Sequence, residues 1–282
     1  MRIQLLSQYF DPEPTLKGLT FAKALAARGH EVRVVTGFPN YPSGQLAEGY
    51  SLHRREFSVM DGIPVLRVWL VPSHDESAMH RLVNYGSFAA SSAIFGRFRD
   101  WRPDVTWVHH PPPTAALAAV VQRRLAGTPF VLEIQDLWPD TLTSTGMIGG
   151  TRVPRIIGWG MDRLYRLSSG IICISDGFAN RLRWRGVDSE RLSVIPNWAD
   201  EDRLRADPED SDWAANLLGE DAFHVVYTGN MGPAQALEAV IKAVAIAVKR
   251  VPWIVLHMVG DGLDHEQLQR LAREVAPGAV RF

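Results

Sequence analysis

Residues 1–36, MRIQLLSQYFDPEPTLKGLTFAKALAARGHEVRVVT, decide the fold of this chain. The stretch RIQLL at 2–6 predicts a short buried strand, and EVRVVT at 31–36 predicts a second one. Between them, LKGLTFAKALAAR at 16–28 has apolar residues at helical spacing and is followed by Gly29. Strand, helix and strand in this order predict a βαβ unit, in which the two strands are parallel and joined by a right-handed crossover.

The same alternation recurs along the chain. It predicts strands at 105–109, 130–134, 170–174 and 192–195, with helices at 114–125, 155–167 and 177–185. A further βαβ pattern follows, with strands at 224–228 and 254–259 and helices at 236–250 and 265–275. We therefore predict an α/β protein with a Rossmann-like domain at 1–200, a linker at 201–220 and a partial second domain at 221–282.

Composition and charge exclude several classes of protein. The 282 residues are 46% hydrophobic and 22% charged, which indicates a folded globular chain. The net charge of −1 argues against a nucleic-acid partner, and the single cysteine, Cys173, excludes a disulfide framework or a cysteine-based zinc site. The sequence holds neither an apolar run of about 18 residues nor a signal peptide, so we expect a cytoplasmic protein.

The loop after the first strand indicates which ligand the fold would take. A dinucleotide site has the pattern G-x-G-x-x-G there, whereas residues 9–18 read YFDPEPTLKG and hold one glycine. This difference disfavours NAD. Gly18 could let the start of the helix approach an anion, with Lys17 adding charge, or the segment could be a simple loop into the helix.

Several short motifs occur in a set order along the chain. They are GFPNYPSG at 37–44, DGIPVLRV at 61–68, Arg81 with Asn84-Tyr85, DLWP at 136–139, VIPNW at 194–198, GNMG at 229–232 and VGDG at 259–262. Together they resemble the retaining glycosyltransferases of family 4, and within that family the bacterial fucosamine-type transferases of surface polysaccharide synthesis. The resemblance implies the GT-B architecture, in which two Rossmann-like domains face each other across a cleft.

The resemblance also implies roles for individual residues. The catalytic candidates are His109 and Asp136, which end predicted strands. His110 is expected at the surface, and Asp136 would either position the acceptor hydroxyl or only cap the next turn. The family's N-terminal domain takes the acceptor, and the acceptor-side candidates are Lys17, Asn40, Tyr41 and Arg81. Its C-terminal domain takes the nucleotide sugar, and the donor-binding candidates are Gly18, Gly229, Asn230, Gly232 and Gln235.

The donor-side sequence departs from the family in two ways. Asn230 and Gln235 are neutral at positions where many relatives have Arg and Lys. Glu266 and Glu274 have the family's E-x7-E spacing but lie earlier than that motif, and a solvated helix face explains them better. The family's motif and its Pro-Ser-Lys lysine would lie beyond Phe282. We therefore expect a truncated donor domain and weak or absent transferase activity from residues 1–282 alone.

Two basic and aromatic segments suit an anionic membrane surface. Residues 80–102 and 151–167 are both predicted to be helical, and each has a net charge of +3. The alternative is that each apolar stripe packs against the sheet.

The main hypothesis is a metal-independent retaining glycosyltransferase. It would move a sugar from a nucleoside diphosphate sugar, expected to be UDP-linked, to a polyprenyl-diphosphate saccharide or another membrane-linked glycan. No resident cofactor and no metal site are expected, and the enzyme would be peripheral on the inner face of the cell membrane. The alternatives are a non-catalytic remnant that keeps an acceptor-binding domain, and a GT-B sugar-nucleotide epimerase.

Overall fold

The computed structural model describes residues 1–73, 78–110, 112–144, 150, 152–199 and 222–282. The chain divides into two compact units, Met1–Trp198 and Ala199–Phe282. The linker predicted at 201–220 lies outside the described residues.

Eight strands form the sheet of the first unit. They are β1 (Arg2–Leu6), β2 (Glu31–Gly37), β3 (Arg55–Met60), β4 (Ile63–Val68), β5 (Val105–His110), β6 (Phe130–Ile134), β7 (Gly170–Cys173) and β8 (Leu192–Val194). Their order is β3-β4-β2-β1-β5-β6-β7-β8, and all neighbours are parallel except β3 and β4. Because β1 has β2 on one side and β5 on the other, the direction of winding changes there. Ligands of such sheets bind beyond the carboxyl ends of the strands at this point.

Helices of the first unit pack on the sheet through two apolar cores. The helices are α1 (Leu19–Ala27), α2 (Ala78–Phe95), α3 (Ala116–Ala126), α4 (Asp140–Ser144), α5 (Arg152–Leu167) and α6 (Asp176–Trp184). Within β2, Val34 joins the core that contains α1 residues, while the next residue, Val35, joins the core of α2, α3, α5 and α6. Successive strand residues point to opposite faces, so the two cores lie on opposite sides of the sheet.

The predicted βαβ unit at the start of the chain is confirmed, but the hairpin of β3 and β4 was not predicted. The two strands are joined by Asp61 and Gly62, whose φ angles are 45° and 83°. An Asp-Gly pair with both φ angles positive is the two-residue turn that matches the twist of a hairpin. The sequence therefore held a signal for this hairpin at a place where only a family motif was recognised.

The basic and aromatic segment at 80–102 is helical only in its first part. Helix α2 ends at Phe95, and at Gly96 a side chain would meet the Ser92 carbonyl oxygen at 2.3 Å. Beyond the helix, Arg33 lies over the rings of Phe98 and Trp101, at 5.2 and 4.8 Å from their centroids. The arginines of the segment that follow the helix, Arg97, Arg99 and Arg102, are exposed.

The second unit repeats the βαβ pattern on a smaller scale. Its described elements are β9 (Phe223–Thr228), α7 (Leu237–Ala247), β10 (Ile254–Val259), α8 (His265–Val275) and β11 (Val280–Arg281). The strands are parallel in the order β11-β10-β9, and the core includes Met231, Ile241 and Leu256. In the described parts of both units, no helix is long and apolar enough to cross a membrane.

Candidate active site

A cavity of about 350 Å³ opens beyond the carboxyl ends of β1, β5 and β6. This is the edge at which the topology of the sheet favours ligand binding. The cavity contains three of the residues predicted from sequence, His109, Asp136 and Tyr41. The remaining lining residues are Tyr9, Pro14, Thr15, Leu16, Tyr85 and Gln135.

Glu133, which was not predicted, organises the floor of this cavity. Its side chain is 1% exposed, and four N–H donors converge on its two oxygens. Oε1 accepts from Lys17 Nζ at 3.0 Å and from Gln135 Nε2 at 2.8 Å. Oε2 accepts from Trp107 Nε1 at 2.8 Å and lies 3.2 Å from His109 Nδ1. A carboxylate has about four lone-pair positions, so these donors saturate it.

The charge of Glu133 fixes the hydrogen-bonding state of His109. Burial alone would raise the pKa of Glu133, but the hydrogen bond and charge of His109, the hydrogen bond from Trp107 and the charge of Lys17 outweigh it and lower that pKa. An ionised carboxylate only accepts hydrogen bonds, so His109 Nδ1 must carry a proton. In the neutral ring, Nε2 is then an acceptor, and His109 lines the cavity. The site can therefore accept a hydrogen bond from a ligand hydroxyl group.

Asp136 is the second polar candidate in the cavity. Its carboxyl group is partly buried, which raises its pKa, while the nearby His109 acts in the opposite direction. His109 and Asp136 line the same cavity, at the sheet edge where their positions after predicted strands placed them. Their catalytic roles remain predictions.

His110 is not the surface residue that the sequence suggested. It is buried against the ring of Trp138, with 6.0 Å between the ring centroids. Neither ring nitrogen has a hydrogen-bond partner among the described residues. Burial, with the neighbouring His109, lowers the pKa of His110 to about 3. The two histidines differ because consecutive strand residues point to opposite faces.

Three tyrosines form an aromatic wall of the cavity. The rings of Tyr9 and Tyr41 are 5.2 Å apart at their centroids. Tyr9 is largely buried, which raises its pKa, and its hydroxyl group is hydrogen-bonded with Tyr85. Aromatic rings with a polar edge combine apolar contact area with hydrogen bonding, which suits a ligand that has both apolar and hydroxyl surfaces.

The acceptor-side candidates Asn40 and Tyr41 are placed by a buried glutamate. Glu13 Oε1 accepts from the backbone N–H groups of Asn40 at 2.7 Å and Tyr41 at 2.8 Å. Asn40 is itself buried and donates to the Phe38 carbonyl oxygen at 3.0 Å. Tyr41 thus faces the cavity while Asn40 is bonded inside the loop. Arg81 lies on α2, outside the residues that line this cavity.

The predicted anion site at Lys17 and Gly18 needs correction. Lys17 is not a free cation, because it is 3% exposed and paired with Glu133. The start of α1 already carries a carboxylate, since Asp11 Oδ2 accepts from the Leu19 N–H at 2.5 Å. A side chain at position 18 would approach that oxygen to 2.2 Å, so Gly18 makes room for Asp11. The donor contact of Gly18 stays a prediction.

In the second unit, the donor-side candidates lie in two interlocked glycine turns. Gly229 donates to the Val259 carbonyl oxygen at 3.0 Å, and Met231 donates to that of Asp261 at 2.8 Å. A side chain at Gly260 would meet the Gly229 carbonyl oxygen at 1.9 Å. Gln235 Oε1 accepts from the Gly232 N–H at 3.2 Å, so this side chain stabilises the turn. These contacts explain the glycines as close backbone packing just before α7.

No group of three or more His, Cys, Asp or Glu side chains that could hold a metal ion occurs in the described ranges.

Comparisons with known proteins agree with this arrangement. A family model described as a glycosyl transferase 4-like domain matches residues 19–198. The chain is 31% identical over 289 residues to WcaI of Escherichia coli (strain K12), a candidate glycosyl transferase of colanic acid biosynthesis. The alignment covers 97% of this chain and 69% of that protein.

Solved structures show the same fold at low sequence identity. HepE of Anabaena, in complex with UDP and glucose, has a TM-score of 0.65 and 19% identity over 100% of this chain and 68% of its own. The catalytic domain of starch synthase IV from Arabidopsis thaliana, bound to ADP and acarbose, has a TM-score of 0.67 and 12% identity, over 99% of this chain and 73% of its own. This likeness confirms the predicted α/β fold of the GT-B class.

Proposed function

The chain belongs to the glycosyl transferase 4-like domain family, and we propose that it is a retaining glycosyltransferase of the fucosamine-transferase type. It transfers a sugar from a nucleoside diphosphate sugar, with UDP as the nucleotide, to a polyprenyl-diphosphate saccharide or another membrane-linked glycan. The observation that carries the proposal is the cavity in which His109 is held by buried Glu133 beside Asp136.

In this function, the residues of the first unit recognise and orient a sugar. His109 Nε2 accepts a hydrogen bond from a hydroxyl group of the transferred sugar, and Asp136 positions the acceptor hydroxyl. The wall of Tyr9, Tyr41 and Tyr85 contacts the apolar face of a sugar ring. Fixed groups of this kind need no reorganisation during the reaction, which is the main source of transition-state stabilisation in many enzymes.

The glycine turn of the second unit supplies the donor side of the proposal. Helix α7 begins at Leu237, one residue after the turn of Pro233–Gln235, and the positive end of its dipole suits a diphosphate leaving group. Asn230 and Gln235 are neutral, so they would contribute hydrogen bonds rather than charge. The UDP assignment is supported by HepE, whose structure contains UDP and glucose.

The proposed acceptor is membrane-linked, and the pathway is surface polysaccharide synthesis. The pathway is supported by WcaI, which is named for colanic acid biosynthesis. Exposed apolar side chains on α2 and α5 support a peripheral position at the inner face of the membrane. They are Met79, Leu82, Val83 and Ile94 on α2, with Val153, Ile156 and Trp159 on α5.

A transfer assay tests the proposal. The assay uses a protein that includes the family's Pro-Ser-Lys and E-x7-E segments, with residues 1–282 alone for comparison. Each is incubated with UDP-N-acetylfucosamine, UDP-glucose, UDP-galactose and the N-acetylamino forms of the last two, with and without polyprenyl-diphosphate saccharides. We expect a product with a retained anomeric configuration, formed only with acceptor. Loss of a hydrogen bond made in the transition state costs ~100–1,000-fold in rate, so His109→Ala should lose that much. The control is His53→Ala, an exposed histidine outside the cavity.

Two results would contradict the proposal. Acceptor-independent conversion of a UDP-sugar to its epimer would indicate the epimerase. Donor and acceptor binding without any transfer would indicate a non-catalytic remnant.

A further inference from the structure

Trp198, the last residue of the first unit, covers the buried charge pair beneath the cavity. Lys17 Nζ lies 3.4 Å from the centroid of the Trp198 ring and 3.0 Å from Glu133 Oε1. Phe21 contacts both Trp198 and Lys17, since its ring centroid is 5.4 Å from that of Trp198 and 5.4 Å from Lys17 Nζ. The ammonium group is therefore held between a carboxylate and aromatic rings, which fixes its position by charge and by cation–π attraction.

Asn197, the preceding residue, holds the other donor to the same carboxylate oxygen. Its amide group and that of Gln135 form two hydrogen bonds, of 3.1 and 2.7 Å. The same Gln135 nitrogen donates to Glu133 Oε1 at 2.8 Å. Both donors to Oε1 are thus fixed by two consecutive residues at the end of the first unit.

This arrangement matters because Glu133 divides its oxygens between two sets of partners. Lys17 and Gln135 bind Oε1, which leaves Oε2 to Trp107 and His109. If Lys17 or Gln135 moved away, the carboxylate could rotate to recover its lost hydrogen bonds. This rotation would alter the hydrogen bond between Oε2 and His109 Nδ1. The orientation and tautomer of His109 then depend on Asn197 and Trp198, which are not among the residues that line the cavity.

We propose that Asn197 and Trp198 are positioning residues that hold His109 in its Nδ1-protonated orientation, through Gln135, Lys17 and Glu133. The consequence for catalysis rests on the proposed function, because it assumes that His109 contacts the transferred sugar. The structural part of the proposal does not depend on that function, because it concerns only the positions of Lys17 and His109. Two measurements therefore test it without any substrate.

The first measurement is lysine accessibility. The sequence holds four lysines, and Lys23, Lys242 and Lys249 are exposed. Reductive methylation followed by peptide mass spectrometry should label these three quickly and Lys17 slowly. A desolvated cation–π contact contributes ~2 kcal/mol, so Trp198→Ala should speed the labelling of Lys17 by about 30-fold. The exposed lysines are internal controls for the reactivity of the reagent.

The second measurement is the ¹⁵N spectrum of the histidines, with His109 assigned by its loss in His109→Gln. The parent should show a protonated Nδ1 and an acceptor Nε2 at His109. Trp198→Ala and Asn197→Ala should give mixed tautomers, while Trp198→Phe should restore the parent spectrum. The matched control is Trp184→Ala, which removes an exposed tryptophan that makes the same kind of contact, 4.4 Å from the Arg181 guanidinium.

Turnover provides the third readout. Misplacement of a catalytic group by a distant change can cost up to about 100-fold, so we expect kcat to fall 10- to 100-fold in Trp198→Ala with KM nearly unchanged. Lys17 labelled no faster in Trp198→Ala, or a His109 spectrum that is unchanged in both alanine variants, would overturn the proposal. A protein that includes the family's Pro-Ser-Lys and E-x7-E segments but has no transferase activity would refute the proposed function instead, and the labelling and spectra would still decide the positioning role.

Discussion

The buried pair of Lys17 and Glu133 gives the sharpest stability prediction. The two side chains are 3% and 1% exposed, so Glu133→Gln leaves an ammonium group without its counter-charge in the interior. Removing one partner of a buried ion pair costs about 3–5 kcal/mol. Glutamine has one acceptor oxygen instead of two. The hydrogen bonds from Trp107 and His109 are therefore kept only if the amide N–H2 group turns towards Lys17, which adds to the cost of the lost charge.

A double variant isolates the effect of the lost charge. Lys17→Met removes the ammonium group while keeping most of the side-chain volume, so the double variant leaves no unpaired charge in the interior. We therefore expect Lys17→Met/Glu133→Gln to recover most of the 3–5 kcal/mol that Glu133→Gln loses. Urea unfolding followed by circular dichroism measures these differences, and the relevant transition is that of the eight-stranded sheet.

The pH dependence provides the control. The native pKa of Glu133 is lowered, so its ionisation stabilises the fold above the ordinary glutamate pKa, and this contribution is lost as the pH falls through the lowered native value. The difference between the parent and Glu133→Gln should therefore be full at neutral pH and shrink in acid. A loss below about 1 kcal/mol in Glu133→Gln, or a double variant no more stable than the single one, would refute the description of this pair as buried and mutually dependent.

Three further predictions concern other parts of the first unit. Gly18→Ala should destabilise by about 1–2 kcal/mol in urea melts, because it displaces the Asp11 carboxylate from the start of α1, whereas Gly86→Ala meets no atom within 4 Å and should be neutral or stabilising. The lowered pKa of His110, about 3, means that the unfolded chain binds a proton below pH 6.5 that the native protein does not, so stability should fall as the pH drops from 6.5 towards 3. His110→Phe should flatten that slope, and an equally steep slope in the variant would show that other groups cause it. Binding to anionic vesicles in co-sedimentation should weaken as salt rises, with zwitterionic vesicles as the control. It should also weaken in the triple variant Arg97→Gln/Arg99→Gln/Arg102→Gln. Parent-like binding by this variant would contradict a role of the three arginines at the membrane.

The fold could be predicted because its signals are local. The strand, helix and strand of residues 1–36 each show their own periodicity, and the βαβ rule orders them without knowledge of distant contacts. The boundary that failed, at Gly96, depends on how closely the backbone approaches Ser92, which periodicity does not report. The β3–β4 hairpin was missed even though Asp61-Gly62 is a local signal.

The candidate site could be predicted only in part, for a related reason. His109 and Asp136 were found because they end strands, and parallel strands bring their carboxyl ends to one edge. Glu133 lies within a strand, and its importance comes from partners distant in sequence, such as Lys17 and the Gln135–Asn197 pair, which spans 62 residues. Lys17 was expected to offer its charge to an anion and His110 to lie at the surface, but both side chains are buried. A charged residue in the sequence does not reveal whether its charge is free.

The cost of the Lys17–Glu133 pair bears on why the site contains it. Two charges lose their hydration when they are buried, and apolar residues of similar volume generally serve stability as well or better. Stability alone therefore gives little reason to place an ammonium group and a carboxylate beneath the sheet edge. The positioning of His109 does give a reason for the pair. A saturated carboxylate keeps His109 Nδ1 protonated and leaves the Nε2 of the neutral ring as an acceptor at the cavity. In Glu133→Gln, the neutral amide could present an N–H to Nδ1 and support the opposite tautomer. The charge thus decides whether His109 Nε2 accepts or donates a hydrogen bond at the cavity, and Lys17 is needed to keep that charge in the interior.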